Sequence, residues 1–239
     1  MGIDIDGIRS DAMRFEEDAQ GAAERGDLKT EAEKFNAAAD LLRTAGDYDG
    51  SARDYKLAGH AQQMEGDYEG AAESYEKAGD DASKTNHKWS SSDAQRDYKA
   101  AARDHGDAGS SAAFRGGYLE AAKHFRQSEA DYTKAGRPDL AKRAGHFANM
   151  MEALEAGKDG MDAGKAAGKY DHKKAADLYT QAQADFTKAA NIARDLGDTE
   201  DAEIYSKKAD DAGKKATKEE TLEKQEYGLP PHKNPKNRL

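Results

Sequence analysis

The chain has 239 residues and a formal net charge of −10, and it contains neither cysteine nor valine. The lack of cysteine excludes disulfides and thiolate chemistry, and the lack of valine argues against a sizeable β-sheet. No segment approaches the roughly 18 apolar residues of a membrane span, and no secretory signal pattern opens the chain. We therefore expect a cytoplasmic protein without membrane insertion. The acidic balance also argues against nucleic-acid binding, which depends on clustered lysine and arginine.

Large aliphatic residues are scarce, and this composition alone permits a disordered, hydrophilic protectant protein. Alanine, the strongest helix former, is the commonest residue. Tyrosines that recur in register among the alanines favour packed helices over disorder. The disordered reading is therefore the weaker alternative.

Paired helix-stop and helix-start signals divide the chain in order. Gly46-Asp47 and Gly66-Asp67 open two copies of one motif, 20 residues apart. Glycine supplies the left-handed residue that ends a helix, and aspartate caps the helix that follows. Such short loops make neighbouring helices antiparallel. The pattern predicts helices near 7–25, 28–44, 48–64, 68–84, 93–115, 118–134, 138–156, 171–195 and 199–217.

Apolar residues within each copy fall on one helical face. Tyr48, Tyr55 and Ala58 share a stripe with a period of about 3.6 residues. Large rings alternate with alanines along this stripe, which lets neighbouring helices approach closely. We assign a structural role in this repeat to Gly26, Phe35, Gly46, Tyr48, Tyr55, Ala58, Gly66, Tyr68, Ala71, Tyr75, Ala78, Tyr118, Ala121, Phe125 and Tyr205.

Composition shifts suggest the domain organisation. Residues 1–84 are predicted to form N-terminal helical repeats, and the polar stretch 85–92 a loop or joint. Residues 93–217 are predicted to form C-terminal helical repeats, with a glycine-rich connection at 157–168. The segment 218–239 is predicted to be an extended, proline-rich, basic tail.

The stretch Gly66–Ala78 resembles the second helix of a tetratricopeptide repeat, with a Gly-x-Tyr turn followed by Ala71, Tyr75 and Ala78. Tetratricopeptide repeats have a period of about 34 residues, whereas two helices here take 40 and every helix opens alike. That arrangement is similar to the soluble NSF attachment protein (SNAP) family. The resemblance implies an all-α, right-handed α-solenoid of antiparallel helices, about 20 residues each. Members of the SNAP family act as adaptors between a coiled-coil bundle and a ring ATPase. The C-terminal end of that family is usually acidic, whereas this chain ends in a basic segment.

No residue pattern supports catalysis, a cofactor or a metal site. Histidines such as His60, His105 and His124 show no ligand spacing. We expect a protein without enzymatic activity, cofactor or bound metal.

Two segments are candidates for partner binding. Trp89 is the single tryptophan and is either a binding anchor or a plug between helical layers. The tail residues Leu229, Pro230 and Pro231 form a short extended motif of the kind that docks in grooves, and Leu239 ends the chain. An unstructured terminus is the alternative reading of the tail.

The combined features predict a non-catalytic adaptor or scaffold. Such a protein binds a peptide or helix of its partner on the concave face of the repeats, and net negative charge favours a basic or mixed partner surface. The alternative is a structural subunit of a larger assembly or of a self-associated form, with the C-terminal tail as a docking segment.

Overall fold

The computed structural model describes residues 4–85 and 90–228. Within these ranges the chain forms nine α-helices and no β-strand, which confirms the predicted all-α helical repeat. No helix in the described ranges combines the length and hydropathy needed to cross a membrane. The helices are α1 (Ile5–Glu24), α2 (Leu28–Thr44), α3 (Tyr48–Glu65), α4 (Tyr68–Ala82), α5 (Ser90–Phe114), α6 (Tyr118–Lys134), α7 (Pro138–Ala167), α8 (His172–Leu196) and α9 (Thr199–Gly228).

The turns between helices follow the predicted stop and start signals. Gly46 has a left-handed φ of 77°, a conformation that side chains beyond glycine adopt at a cost. The Asp47 carboxylate then accepts a hydrogen bond from the backbone N–H of Gly50 at 3.0 Å. The same geometry recurs at Gly66 and Asp67. These two residues per turn set where each helix ends and the next begins.

The chain divides into two compact units, Met1–Ala148 and Asn149–Leu239. Helices α1 to α6 and the first part of α7 form the N-terminal unit, and the rest of α7 with α8 and α9 forms the C-terminal unit. This division does not coincide with the predicted joint at 85–92. Residues 90–92 of the predicted loop belong to α5, whereas residues 86–89 lie outside the described ranges, so the loop stays a prediction there.

The core of the N-terminal unit is built from single aromatic rings set among alanines. Tyr55 of α3 packs with Ala39 of the preceding helix and Ala78 of the following one. Phe35 of α2 repeats the arrangement one helix earlier. Because alanine carries only a methyl group, adjacent helices come close, and one ring fills the remaining space. The scarcity of large aliphatic residues is therefore compatible with a dry core.

Glycines inside helices lie directly against these rings. A Cβ atom added at Gly79 of α4 would lie 2.9 Å from ring atoms of Tyr98 in α5. The same close approach joins Gly59 to Tyr75 and Gly109 to Phe125. These glycines are contact positions between helices and do not interrupt the helices that contain them.

The structure corrects the glycine-rich connection predicted at 157–168. Helix α7 continues through this segment to Ala167, although glycine is a poor helix former. Added Cβ atoms at Gly157 and Gly164 would lie within 2.8 Å of the rings of Phe186 and Tyr179, respectively. The glycines are accommodated because α8 packs against them.

The predicted extended tail, 218–239, is also corrected in part. Helix α9 runs to Gly228, and its last turns make polar contacts with the start of α8. Glu219 lies 2.6 Å from Nδ1 of His172, at the start of α8. Residues 229–239 lie outside the described ranges, so their predicted extended state stays a prediction.

We expect Gly79→Ala to destabilise the protein despite the higher helix propensity of alanine. The new methyl group meets Tyr98, whose hydroxyl is held by Asp80 at 2.7 Å. Overpacking of this kind costs about 1–3 kcal/mol. Gly21→Ala is the matched control, because its Cβ meets only the flexible end of Arg25 at 3.4 Å and should gain up to about 1 kcal/mol. Urea unfolding midpoints check the pair, and an unchanged or raised midpoint for Gly79→Ala would contradict the packing argument.

Candidate functional site

A groove of about 440 Å³ opens between α5 and the first part of α7, with α6 as its floor. We call it the α5–α7 groove. Phe125 of α6 and Phe147 of α7 stack in its wall, with ring centroids 5.3 Å apart. Leu140 and Ala144 add aliphatic surface from α7. The groove therefore combines apolar, partly aromatic surface with polar side chains inside the N-terminal unit.

Charged side chains border this surface. Arg103 and Asp107 line it from α5, and Arg143 lines it from α7. The Arg143 guanidinium lies 5.7 Å from the ring centroid of Phe147, which is cation–π distance. Apolar surface with a few convergent polar groups is typical of binding sites for peptides and small molecules.

A second feature is a buried polar cluster formed by three successive helices. Glu76 of α4, His105 of α5 and Asp131 of α6 each place one nitrogen or oxygen atom within 4.8 Å of the other two. His105 and Asp131 are fully buried, whereas Glu76 is partly exposed. The ammonium group of Lys134 lies 3.3 Å from Asp131 and 3.7 Å from Glu76. We call the first three residues the Glu–His–Asp cluster.

The two fully buried members of this cluster leave hydrogen-bonding capacity unused. Among the residues that the structure describes, neither ring nitrogen of His105 and neither carboxylate oxygen of Asp131 has a hydrogen-bond partner. Nε2 of His105 lies 3.8 Å from the Asp131 carboxylate, too far for a hydrogen bond. Burial lowers the pKa of His105 to about 4. Burial, reinforced by the neighbouring Glu76, raises the pKa of Asp131 to about 8.

Two other buried carboxylates of the N-terminal unit have charged partners on other helices. Asp81 of α4 accepts from the Ser51 hydroxyl of α3 and from Nε of Arg43 of α2, both at 2.7 Å. Asp97 of α5 pairs with the Lys56 ammonium of α3 at 3.1 Å. These contacts join adjacent and alternate helices, so these two buried charges are each matched by an opposite charge.

The structure places the predicted repeat residues in the helices and turns of both units. Gly26 has a positive φ, as Gly46 and Gly66 do. The buried members are Phe35, Tyr55, Ala58, Ala71, Ala78, Ala121, Phe125 and Tyr205. Tyr48, Tyr75 and Tyr118 are half-buried and Tyr68 is exposed, so the tyrosine of the Gly-x-Tyr turn stays at the surface of the repeat. Of all these residues, only Phe125 lines the α5–α7 groove.

The residues predicted for partner binding cannot be placed. Trp89, Leu229, Pro230, Pro231 and Leu239 lie outside the described residues. Their roles stay predictions.

Sequence reasoning missed both the groove rim and the Glu–His–Asp cluster. His105 and Asp131 are 26 residues apart in the sequence, so no local ligand spacing links them. A signal was nevertheless present, because His105 shares the stripe of α5 that contains Ala101 and Ala108. A polar residue on an otherwise buried stripe is a marker of an internal polar site.

The sequence matches no described protein family and no curated protein. Two of the solved structures that it resembles are the crystal structures of BtubC (BKLC) from P. vanneervenii and of the de novo designed helical repeat protein DHR64. The first has a TM-score of 0.36 and 15% sequence identity, over 100% of this chain and 98% of that chain. The second has a TM-score of 0.28 and 16% identity, over 95% of this chain and 100% of that chain. At these values neither likeness bears on function.

The paired carboxylates make stability depend on pH, and Asp97→Asn isolates one of them. Burial raises the pKa of Asp97 to about 6, although Lys56 and Arg96 act against the rise and Asp93 adds to it. A carboxyl group with a raised folded-state pKa stabilises the fold below its unfolded pKa, and that contribution is lost as the pH rises through the folded value. Wild type should therefore lose stability relative to Asp97→Asn between about pH 5 and pH 8, by roughly 1.4 kcal/mol.

Urea unfolding of both proteins at the two pH values gives this difference directly. The comparison cancels the effect of His105, whose lowered pKa acts in the opposite sense, and that of His172, whose pKa is raised by Glu219. A gap between wild type and Asp97→Asn that stays constant with pH would contradict the raised pKa.

Proposed function

We propose that this protein is a non-catalytic interaction adaptor that binds a partner segment in the α5–α7 groove. The main observation in support of this proposal is the stacked pair of Phe125 and Phe147 in the groove wall, flanked by Arg103 and Arg143. Aromatic and arginine side chains are enriched among residues that dominate binding energy. The helical repeat supports this role, because stacked helices present extended surfaces of this kind.

The chemistry of the groove suggests the kind of segment that it binds. An apolar side chain would enter between the rings and gain the free energy of leaving water. An acidic residue beside that anchor would pair with the guanidinium groups at the rim, and Asp107 would favour a basic group nearby. The ligand is therefore a mixed peptide or helix with an apolar anchor and an adjacent acid. We also propose that the protein is cytoplasmic and that it is related to the tetratricopeptide and SNAP-like adaptors.

Charge reversal at the rim tests this binding mode. Peptides are first selected from a displayed random library on the full chain, and their affinities are measured by fluorescence polarisation. Arg143→Glu should weaken the selected peptides about tenfold, which is about 1.4 kcal/mol, because it repels their acidic residue. Lys142→Glu makes a comparable charge change next to it on the exposed side of α7 and should leave the affinity unchanged.

Two outcomes would overturn the adaptor proposal for this groove. One is a selection that yields no peptide. The other is a set of peptides equally affected by Arg143→Glu and Lys142→Glu, because general electrostatics would then account for the binding.

A structural subunit is the second candidate, and one surface observation favours it. Phe114 is 95% exposed and Leu119 is 64% exposed, on either side of the turn between α5 and α6. Met64, 62% exposed, lies at the turn between α3 and α4, which antiparallel packing places at the same end of the N-terminal unit. Exposed apolar side chains grouped in this way mark contact surfaces.

Sedimentation equilibrium distinguishes the two candidates. A self-associating subunit should show concentration-dependent mass, and Phe114→Glu should abolish it by placing a charge in the contact. A monomer at all concentrations would remove self-association and leave the adaptor role.

A further inference from the structure

The Glu–His–Asp cluster occupies a position that occurs twice in the N-terminal unit. Two tyrosines serve as reference points, because each donates its hydroxyl hydrogen to an aspartate of the preceding helix. Each ring also has a lysine ammonium of the following helix near its centroid, at 5.3 Å in the earlier repeat and 4.9 Å in the later one. The matched sets are Tyr55, Asp40 and Lys77 in the earlier repeat, and Tyr98, Asp80 and Lys134 in the later repeat.

Counting from these reference points gives two equivalent clusters. Each cluster consists of the residue seven positions after the tyrosine, the residue four positions before the aspartate and the residue three positions before the lysine. All three offsets agree in the two repeats, so the clusters occupy the same place in the stack. They consist of Gln62, Asn36 and Ser74 in the earlier repeat, and of His105, Glu76 and Asp131 in the later repeat.

The earlier cluster is neutral, and its side chains form hydrogen bonds with one another. The Ser74 hydroxyl lies 2.7 Å from the side-chain amide of Gln62 and 3.2 Å from Oδ1 of Asn36. These three side chains therefore join α2, α3 and α4 by ordinary hydrogen bonds. The fold requires no titratable group at this position.

The later cluster carries a different chemistry at the same place. A carboxylate, an imidazole and a second carboxylate replace the amide, amide and hydroxyl of the earlier repeat. In this later set both ring nitrogens of the fully buried His105 lack a hydrogen-bond partner, and the fully buried Asp131 has an ion pair with Lys134 at 3.3 Å but no hydrogen bond. Buried polar atoms without partners are costly, so a group that binds all three side chains would offset that cost.

We propose that Glu76, His105 and Asp131 bind a divalent transition-metal ion of the Zn²⁺ class. Imidazole nitrogen and carboxylate oxygen are ligands for such ions, and this cluster supplies one nitrogen and two carboxylates. The two carboxylates balance the charge of the ion. The ion would join α4, α5 and α6. The hydrogen bonds of the earlier cluster join α2, α3 and α4 in the same way.

The geometry requires small movements. Zinc holds such ligands at about 2.0–2.2 Å, so ligand atoms on one tetrahedral ion lie about 3.4 Å apart. The three candidate atoms already lie within 4.8 Å of one another, so side-chain rotations that close the cluster by about an ångström suffice. Lys134 now supplies the positive charge, at 3.3 Å from Asp131. Its side chain is 44% exposed and can leave toward solvent when the ion enters.

Zinc titration of the untagged, chelator-treated full chain tests the proposal. Affinity and stoichiometry come from competition with a chromophoric chelator, and thermal unfolding is followed in parallel. We expect one tight site per chain and a higher melting temperature with zinc, because an ion that binds only the folded state stabilises it. X-ray absorption should show nitrogen and oxygen ligands at about 2.0–2.2 Å.

Variants taken from the earlier repeat keep the test specific. His105→Gln, Glu76→Asn and Asp131→Ser each install the residue of the equivalent neutral position, and the triple variant rebuilds that cluster whole. Each should weaken zinc binding by at least about tenfold. The triple variant should stay folded and lose the zinc-dependent rise in melting temperature.

Two further variants separate this site from alternatives. His172→Gln removes a histidine that also lies between two acids, Glu219 and Glu226, but faces each with a different ring nitrogen. It should leave zinc affinity unchanged. Lys134→Gln removes the competing cation and should tighten binding.

Three results would each overturn the proposal. They are a chain that binds no zinc, zinc binding that survives His105→Gln or disappears with His172→Gln, and a zinc affinity that Lys134→Gln leaves unchanged or weakens. The test does not depend on the adaptor role, because no partner peptide is present.

Discussion

Close contact between alanine and glycine surfaces, with one aromatic ring filling each gap, is the constraint on which the rest of this structure depends. The rings of Tyr55 and Tyr98 each lie among small residues of the neighbouring helices. Because the gaps hold one ring and little else, a glycine such as Gly79 has no room for a methyl group. The contact explains how a chain with 36% hydrophobic residues forms a packed interior, since interior packing depends on filling space more than on the size of each side chain.

The same close approach draws polar side chains into the interior, where they distinguish one helix from another. Alanine faces are similar along the chain, so apolar packing alone would tolerate helices stacked in the wrong order. One oxygen of Asp81 is held by the nearby Lys84, but the other is satisfied by Arg43 and Ser51 of neighbouring helices, and a buried carboxylate that loses its partners is destabilising. Buried pairs therefore select the correct neighbours. Around His105 and Asp131 the hydrogen bonding is incomplete, and the proposed metal ion would complete it.

The sequence predicted the helices well where the signal was local and poorly where it was not. Gly46-Asp47 defines a helix boundary through backbone conformation and capping, both of which act within a few residues. Gly157 is also a glycine, but it does not end a helix as Gly46 does. It is a contact position whose partner, Phe186, lies in the next helix. The Glu–His–Asp cluster escaped prediction for the same reason. Its three side chains come together only when successive helices stack. A search for ligand spacing along the sequence does not detect residues that are brought together in this way.

The alanine-based interior also governs how the protein responds to temperature. The heat capacity change of unfolding arises from newly exposed apolar surface, and a buried alanine contributes far less of that surface than a leucine. A chain whose buried side chains are mainly Ala12, Ala58 and their counterparts thus has a small heat capacity change per residue. Its free energy of unfolding varies gently between cold and heat. We therefore expect a shallow stability curve for this protein.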